Sequence, residues 1–236
     1  MCTVSWLHND GGYELFCTRD EKRTRRIARG PEITTQDGIR FLAPQDTEAG
    51  GTWIAVNDYG VSFCLLNGKR EMTSRSYVSR GIVLRELLTG GSISEACERA
   101  WNIDLSRYAP FTLLILEAGQ HASAVEWNGL DKAIFPYADA FMPLTSSSVD
   151  PDGVHRRRHE EFQALPGSLN STMLLNFHHS HGAGPDAYST CMHRADAETV
   201  SFSWLKVTHS DARFFYSPAA PCRRLPGETR TLALLQ

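Results

Sequence analysis

The chain has 236 residues, of which 42% are hydrophobic and 22% charged, as in an ordinary globular protein. Its length and the absence of an obvious linker predict a single domain over residues 1–236. A net charge of −3 gives no electrostatic reason to expect a nucleic-acid partner. No apolar run approaches the roughly 18–20 residues that a membrane span needs, so no membrane span is expected.

The start of the chain and its cysteines predict a cytoplasmic protein. The first 20 residues lack the basic start and long apolar core of a signal peptide. Six cysteines are scattered along the chain without a CxxC pair. In a reducing compartment we expect these to be free thiols rather than a disulfide framework.

The first third of the chain predicts β-structure. Residues 3–18 alternate around the turn 9–12 and predict a hairpin, which returns Arg19 and Asp20 to the neighbourhood of Cys2. Residues 22–37 are charged and contain Gly30 and Pro31, so we expect a loop there. Further strands are predicted at 38–43, 52–56 and 61–66, of which the last two pair as a hairpin that ends at Asn67.

The middle and end of the chain predict helices followed by more strands. Ser92 and Glu95 form a capping-box pattern at the start of a helix that runs to about residue 101. Asp150 or Asp152 is expected to cap another helix through residue 162. The remaining predictions are a polar loop at 69–80, a helix at 81–88, a hairpin of 111–117 with 122–127, a less regular segment at 134–142, a loop at 167–187, strands at 188–194, 199–207 and 213–216, and an irregular tail. This order predicts antiparallel sheets with segregated helices, an α+β layered domain.

Cys2 is the residue with the most distinctive chemistry. Its small side chain makes Met1 a plausible substrate for removal, which would leave a thiol and a free α-amine on one residue. The amine has a reference pKa of about 7.7–8.0 and the thiol of about 8.5, so both exchange protons near neutral pH. One residue would then supply both nucleophile and base. The alternative is an inert terminus that carries cysteine by chance.

Two short motifs follow Cys2 at characteristic positions. Residues Thr18-Arg19-Asp20-Glu21 close the first hairpin, and Gly50-Gly51-Thr52-Trp53 precede the second. Together with Cys2 they resemble the NRDE family, which includes the transport and Golgi organisation proteins; the Asn-Arg-Asp-Glu of that family is Thr-Arg-Asp-Glu here. The resemblance is firmest over residues 2–67.

More distantly, the same stretch resembles the choloylglycine hydrolases and related acylases. That resemblance implies an N-terminal-nucleophile hydrolase fold, a four-layer αββα sandwich of two antiparallel sheets. It implies Cys2 as nucleophile, Arg19 and Asp20 as its electrostatic partners, and Asn67 as an oxyanion donor. Ser146 stands where those acylases place a second oxyanion asparagine.

A second group of residues lies near the end of the chain. His178, His179, His181, Cys191 and His193 are residue types that bind zinc, copper or haem iron. Because their spacing is not that of a structural zinc motif, we expect a solvated loop and no metal site. Cys191 and His193 are expected to line the substrate pocket, as is Trp53.

Two functions remain open from the sequence. The first is hydrolysis of an amide or thioester of a small acyl compound by Cys2, which needs no cofactor. The second is a non-enzymatic carrier of haem or an acyl lipid in the same cleft; the NRDE resemblance implies this role, with haem as a ligand. A fold that has lost catalysis is a third possibility. The sequence leaves the oligomeric state open.

Overall fold

The computed structural model of the protein describes residues 2–68, 77–224 and 226–235. Over these residues the chain forms thirteen strands and four α-helices. The strands are β1 (Cys2–Asn9), β2 (Gly12–Lys22), β3 (Arg29–Gln36), β4 (Ile39–Gln45), β5 (Ile54–Asn57), β6 (Ser62–Asn67), β7 (Phe111–Leu116), β8 (Ser123–Trp127), β9 (Lys132–Phe135), β10 (Leu144–Ser146), β11 (Ala197–Val207), β12 (Asp211–Ser217) and β13 (Glu228–Ala233). The helices are α1 (Arg80–Leu87), α2 (Ile93–Asn102), α3 (Pro151–Gln163) and α4 (Ser171–His179).

The strands form two antiparallel sheets. One has six strands in the order β10-β1-β2-β11-β12-β13, and the other has seven in the order β3 to β9. Each strand pairing that the structure describes within these sheets is antiparallel. The first sheet therefore places the amino-terminal strand β1 in its interior, between a distant strand and its own hairpin partner.

Four layers result from the way the sheets bury their faces. One apolar core lies between the sheets, with Val4 and Trp6 of β1 packed among residues of β5 and β6. Helices α1 and α2 cover the outer face of the seven-stranded sheet through a second core that includes Leu84 and Ala96. Helix α4 packs on the six-stranded sheet through Leu174. The αββα sandwich of two antiparallel sheets is thus confirmed.

Alternation along β1 decides which side chains face which layer. Cys2, Val4 and Trp6 point into the core between the sheets. Thr3 and Ser5 point to the helical side, where Thr3 contacts a side chain of α3 and Ser5 one of α4. Because successive side chains of a strand lie on opposite faces, one strand serves two separate environments.

Capping explains where two of the helices begin. The Ser92 hydroxyl accepts a hydrogen bond from the Glu95 amide at 3.2 Å, as the capping pattern predicts. The Glu95 carboxylate accepts from the Gly91 amide at 2.9 Å, one residue earlier than a standard capping box. Of the two aspartates considered for α3, Asp150 is the cap, and its carboxylate accepts from the Gly153 amide at 3.1 Å.

Four predicted segments are wrong. The expected loop 22–37 contains β3, whose polar, exposed residues lack the apolar alternation of a buried strand. The expected loop 167–187 contains α4, which Asn170 caps through the Met173 amide at 3.0 Å. The irregular tail contains β13, whereas 188–194 is no strand and makes one isolated bridge at His193.

Most of the polar loop predicted at 69–80 lies outside the described residues. Among the helices that the structure describes, none combines the length and apolar character of a membrane span.

Candidate active site

A cleft of about 330 Å³ opens where the two sheets meet beside the first residue of β1. Its wall contains five residues that the sequence analysis selected: Cys2, Arg19, Asp20, Trp53 and Asn67. They come from strands of both sheets, so the packing of one sheet on the other assembles the site. We call this region the Cys2 cleft. The residues that line it are Cys2, Arg19, Asp20, Glu21, Arg25, Asp46, Ala49, Gly51, Thr52, Trp53, Leu65, Asn67, Tyr77, Val78, Ser79, Arg80, Gly81 and Ala109.

Cys2 is held between two neighbouring strands. It pairs with Arg19 of β2 on one side and with Ser146 of β10 on the other. Its backbone nitrogen donates a hydrogen bond to the Ser146 hydroxyl at 2.9 Å. Ser146 therefore lies beside Cys2, where its hydroxyl accepts the hydrogen bond of the Cys2 nitrogen. It is not among the residues of the cleft wall, where an oxyanion donor would be needed.

The Cys2 thiol faces other thiols. A hydrogen bond with Cys17, followed by burial, raises the pKa of the Cys2 thiol well above its ordinary value. Cys17 in turn lies 3.7 Å, sulfur to sulfur, from Cys64 of the opposite sheet. Three buried sulfurs thus form a row between the sheets. Cys17 and Cys64 are both fully buried in the core between the sheets.

Arg19 is engaged by carboxylates rather than by the thiol. Its guanidinium donates to Asp46 at 3.0 Å, lies 3.5 Å from Glu21, and stacks over the Trp53 ring at 4.3 Å. The pKa of the Cys2 thiol is raised although this guanidinium lies in the same cleft. The main causes are the hydrogen bond with Cys17 and burial, while the charge of Arg19 is paired with Asp46 and Glu21.

A neighbouring basic residue completes this arginine–carboxylate group. Arg25 donates to the same oxygen of Asp46 at 2.7 Å. Burial acts to raise the pKa of Asp46, but hydrogen bonds from Arg25 and from backbone amides outweigh it, and the pKa is lowered. Neither Arg25 nor Asp46 could be selected from the sequence, because nothing in it indicates that β4 ends opposite β2.

Asp20 leaves β2 on the face opposite to the Cys2 side chain. Its carboxylate accepts from the Thr199 hydroxyl at 2.6 Å and lies 3.5 Å from the Arg158 guanidinium. It nevertheless acts to raise the pKa of Cys2, so it lies within electrostatic reach of the thiol. Asp20 therefore belongs to the layer between the six-stranded sheet and α3, next to the end of β1.

A β-bulge brings Thr199 to Asp20. The pairing of β11 with β2 matches Thr199 to Asp20 and Ser201 to Arg19, which leaves Val200 as an extra residue. In a regular strand, in which Val200 paired with Asp20, Thr199 would face the core between the sheets, as Ser201 does. A bulge shifts the register by one residue and re-aims the side chains beyond it. This feature has no signal in the sequence.

Arg158 is a buried arginine in the layer behind the Cys2 cleft. Its side chain is 1% exposed, which is unusual for an arginine. Its guanidinium donates to the Thr3 hydroxyl at 2.5 Å and to the Ser189 carbonyl at 2.7 Å, besides its ion pair with Asp20. Its spacing of four residues from the buried Val154 is the one signal that would have placed it on the inner face of α3.

Trp53 and Asn67 occupy the opposite wall of the cleft. The Trp53 ring is buried, and within the described residues its indole Nε1 has no hydrogen-bond partner. Asn67 ends β6 and is half-buried. The approach of the walls depends on Gly51, because a Cβ there would lie 2.4 Å from the backbone of Gly81. The Gly-Gly-Thr-Trp motif thus allows the start of α1 to approach this wall closely.

Cys191 and His193 do not line the Cys2 cleft, which corrects the expectation that they bind substrate. They lie with His181 and Cys222 in a compact group whose ligand atoms are all within 4.8 Å of one another. We call this group the histidine–cysteine cluster. Its residues come from the segment between α4 and β11 and from the 3₁₀ turn Pro221–Arg223.

The expected solvated loop around these histidines is also wrong. Cys191 is fully buried, and burial raises the pKa of its thiol to about 12. His178 and His179 belong to α4 instead of a loop. His178 is fully buried behind β1, where its Nε2 lies 2.9 Å from the Ser5 hydroxyl, and burial lowers its pKa to about 3.

Comparison with solved structures defines the class of fold. Penicillin V acylase from Agrobacterium tumefaciens matches with a TM-score of 0.58 and 11% identity, over 99% of this chain and 86% of that one. The C2A mutant of conjugated bile acid hydrolase from Clostridium perfringens matches with 0.57 and 13%, over 99% and 92%. The N-acylethanolamine-hydrolyzing acid amidase orthologue of Caenorhabditis elegans matches with 0.59 and 10%, over 87% and 92%. The fold is that of the N-terminal-nucleophile hydrolases.

The sequence itself assigns the family. Residues 1–164 match the profile of Transport and Golgi organisation 2 (TANGO2), and the chain belongs to that family. The predicted NRDE-family resemblance, with its more distant likeness to the choloylglycine hydrolases, is thereby confirmed. A search of the curated proteins, in contrast to that of the solved structures, finds no significant match to the chain.

Proposed function

We propose that this protein is a hydrolase that uses the thiol of Cys2 to cleave an amide or thioester of a small acyl compound. The observation that carries this proposal is the position of Cys2 at the start of β1, between the two sheets, in the wall of a cleft shared with Arg19 and Asn67. The fold supports it, since the three similar structures are an acylase, a bile acid hydrolase and an acid amidase.

Removal of Met1 is the first step of the proposal. While Cys2 carries a peptide nitrogen, no amine is next to its thiol, and the thiol stays protonated because its pKa is raised. A free α-amine would accept the thiol proton. The hydrogen bond from the Cys2 nitrogen to Ser146 would hold that amine beside the thiol. Processing would therefore switch on the nucleophile.

The reaction then proceeds by acyl transfer. The Cys2 thiolate attacks the carbonyl carbon, and the electron pair of the carbonyl moves to its oxygen. The Asn67 amide donates to that oxyanion. As the intermediate collapses, the leaving nitrogen or sulfur takes the proton from the α-ammonium group. Water then attacks the acyl–Cys2 thioester and gives one proton to the amine. Collapse of the second intermediate breaks the C–S bond and releases the acid, and the expelled thiolate takes the proton back from the ammonium group.

The cleft wall supports a small, polar acyl compound as the substrate. Trp53 offers an aromatic surface and an indole N–H with no partner within the described residues. Arg19 and Arg25 are held there by Asp46. Binding pockets for small ligands combine an apolar surface with a few fixed polar groups, and the volume is at the lower end of their range.

A non-enzymatic carrier of haem or an acyl lipid is the second candidate. One observation favours it: the Cys2 side chain is 5% exposed and its thiol is protonated among other thiols, as in an inert core cysteine. In that case the cleft would bind its ligand without any covalent step, and Cys2 would only contribute to the wall.

One experiment separates the two functions. Intact mass establishes whether Met1 is removed, and turnover is measured on a panel of acyl amides and thioesters. In the hydrolase, Cys2→Ser lowers turnover by several orders of magnitude because the nucleophile is replaced. Cys97→Ser on α2 is the matched control and keeps full turnover. Equal rates for wild type and Cys2→Ser would refute the hydrolase, and spectral titration with haem then tests the carrier.

A further inference from the structure

The histidine–cysteine cluster brings four metal-binding side chains together from distant parts of the chain. His181 follows α4, Cys191 and His193 precede β11, and Cys222 lies in the 3₁₀ turn after β12. We propose that these four residues bind one zinc ion in a structural site. The proposal is independent of the function of the Cys2 cleft, and it departs from the sequence analysis, which expected no metal.

The distances within the cluster match the dimensions of a zinc tetrahedron. Nε2 of His193 lies 3.7 Å from Sγ of Cys191 and 3.4 Å from Sγ of Cys222. Zinc–sulfur bonds of about 2.3 Å and zinc–nitrogen bonds of about 2.0–2.1 Å in a tetrahedron place the two ligand atoms about 3.6 Å apart. The observed spacing is therefore that of two edges of a coordination shell.

His181 supplies an independent observation. Its Nε2 is buried and has no hydrogen-bond partner within the described residues. Its ring lies 5.1 Å from that of His193, centroid to centroid. A buried polar atom without a partner is costly and calls for an explanation. A metal ion among the four residues would supply the missing partner.

The surroundings of His193 are those of a metal ligand. Its second ring nitrogen, Nδ1, lies 3.9 Å from a carboxylate oxygen of Glu198. That carboxylate is held by Arg23 at 2.9 Å and by Arg223 at 2.7 Å. Zinc-bound histidines commonly present their other nitrogen to a carboxylate, which fixes the tautomer and the orientation of the ring.

The donor set selects the metal. Two thiolates and two imidazoles in a tetrahedral arrangement are typical of zinc, and four protein ligands leave no open position for chemistry. The site would fasten the segment 180–193 to the turn Pro221–Arg223. That segment supports the layer behind Cys2, because the Ser189 carbonyl accepts from Arg158 and the Met192 amide donates to Thr199. The zinc would therefore hold this layer in place without touching the substrate.

The test uses tag-free, reduced protein that has been washed with a weak chelator. Elemental analysis is expected to find one equivalent of zinc in wild type and almost none in Cys222→Ser or His193→Gln. Cys97→Ser and His179→Gln are the matched controls and should retain it. Exchange with cobalt should give the visible bands of a tetrahedral site with thiolate charge transfer. Circular dichroism verifies that each variant is folded.

A second variant tests the outer carboxylate. Glu198→Gln is expected to lower zinc affinity roughly 10–100-fold, as for other outer-shell changes. If wild type neither contains zinc nor binds it on titration, the proposal is wrong. It is also wrong if folded Cys222→Ser binds zinc as tightly as wild type.

Discussion

The Cys2 cleft and the histidine–cysteine cluster both contain buried thiols, but their neighbours differ. In the cleft, Cys2 faces Cys17, and the guanidinium of Arg19 is paired with acidic groups. In the cluster, Cys191 and Cys222 face an imidazole nitrogen. Under the two proposals, the first arrangement keeps a thiol protonated until Met1 is removed, whereas the second brings together the ligands of a zinc ion. The neighbours of a cysteine thus determine its chemistry more than its burial does.

One buried network connects the two regions. Asp20 lies beside the end of β1 and accepts from Thr199, which also accepts from the Met192 amide between the two cluster residues Cys191 and His193. Arg158 completes the network. Disturbing this layer should therefore affect both regions, whereas changes within either region should stay local.

The largest effect is expected from Arg158→Met. Removal of the guanidinium leaves the carboxylate of Asp20 buried without its ion-pair partner, and breaking such a pair costs about 3–5 kcal/mol of unfolding free energy. Urea unfolding measures the loss. Arg156→Met on the exposed face of the same helix is the control and should change stability by less than about 0.5 kcal/mol. Equal effects of the two changes would show that the network does not support the fold.

Gly51→Ala tests the wall of the Cys2 cleft. The new Cβ would lie 2.4 Å from the backbone of Gly81, so α1 must move away from the wall. Overpacking of this kind costs about 1–3 kcal/mol, and ligand binding in the cleft should weaken while zinc content stays unchanged. Gly11→Ala is the control, because a Cβ there meets nothing within 4 Å. A variant with native stability and binding would contradict the proposed close approach.

His178 differs from His193 of the cluster in its partner. Its Nε2 lies beside the Ser5 hydroxyl, whereas that of His193 lies beside two cysteine sulfurs. The pKa of His178 is about 3 in the folded protein, against an ordinary value of 6.5. The unfolded chain therefore binds a proton below about pH 6.5 that the folded protein excludes, so stability is full above that pH and falls as the pH decreases towards 3. Between pH 7.5 and 5 we expect a loss of about 2 kcal/mol from this residue.

Urea unfolding at several pH values measures this dependence. His178→Gln keeps a hydrogen-bonding group for Ser5 but cannot titrate, so its stability should depend less on pH in this window. His209→Gln on the turn between β11 and β12 is the matched control and should follow wild type. An unchanged slope in His178→Gln would assign the pH dependence to other groups.

Alkylation compares the thiols of the two regions directly. In protein that retains Met1, Cys2 should react at least about tenfold more slowly than Cys222 after zinc removal, because burial and a raised pKa reduce its thiolate. Zinc should then protect Cys222 and leave Cys2 unchanged. Peptide mapping with limiting iodoacetamide gives the rates, with Cys97 as the reference. Labelling of Cys2 as fast as that of Cys222 would contradict this expectation.

The sequence by itself determined the layered α+β fold and five residues of the cleft wall. Alternating apolar residues on both sides of a turn predict a hairpin from a short stretch of sequence. The length of the first hairpin also predicts that Arg19 lies beside Cys2. The family motifs added Trp53 and Asn67. The sequence was sufficient to predict a contact where the two residues belong to the same hairpin or the same short motif.

Only the tertiary structure decided the partners of these residues. The bulge at Val200 turns Thr199 towards Asp20, and the packing of α3 buries Arg158. Both Thr199 and Arg158 are polar, and the sequence alone would place them at the surface. Cys222 joins His181 from some forty residues away, because two loops meet behind the six-stranded sheet. Face and register depend on how the sheets pair and how the helices pack on them, and a one-residue shift reverses the face of a side chain.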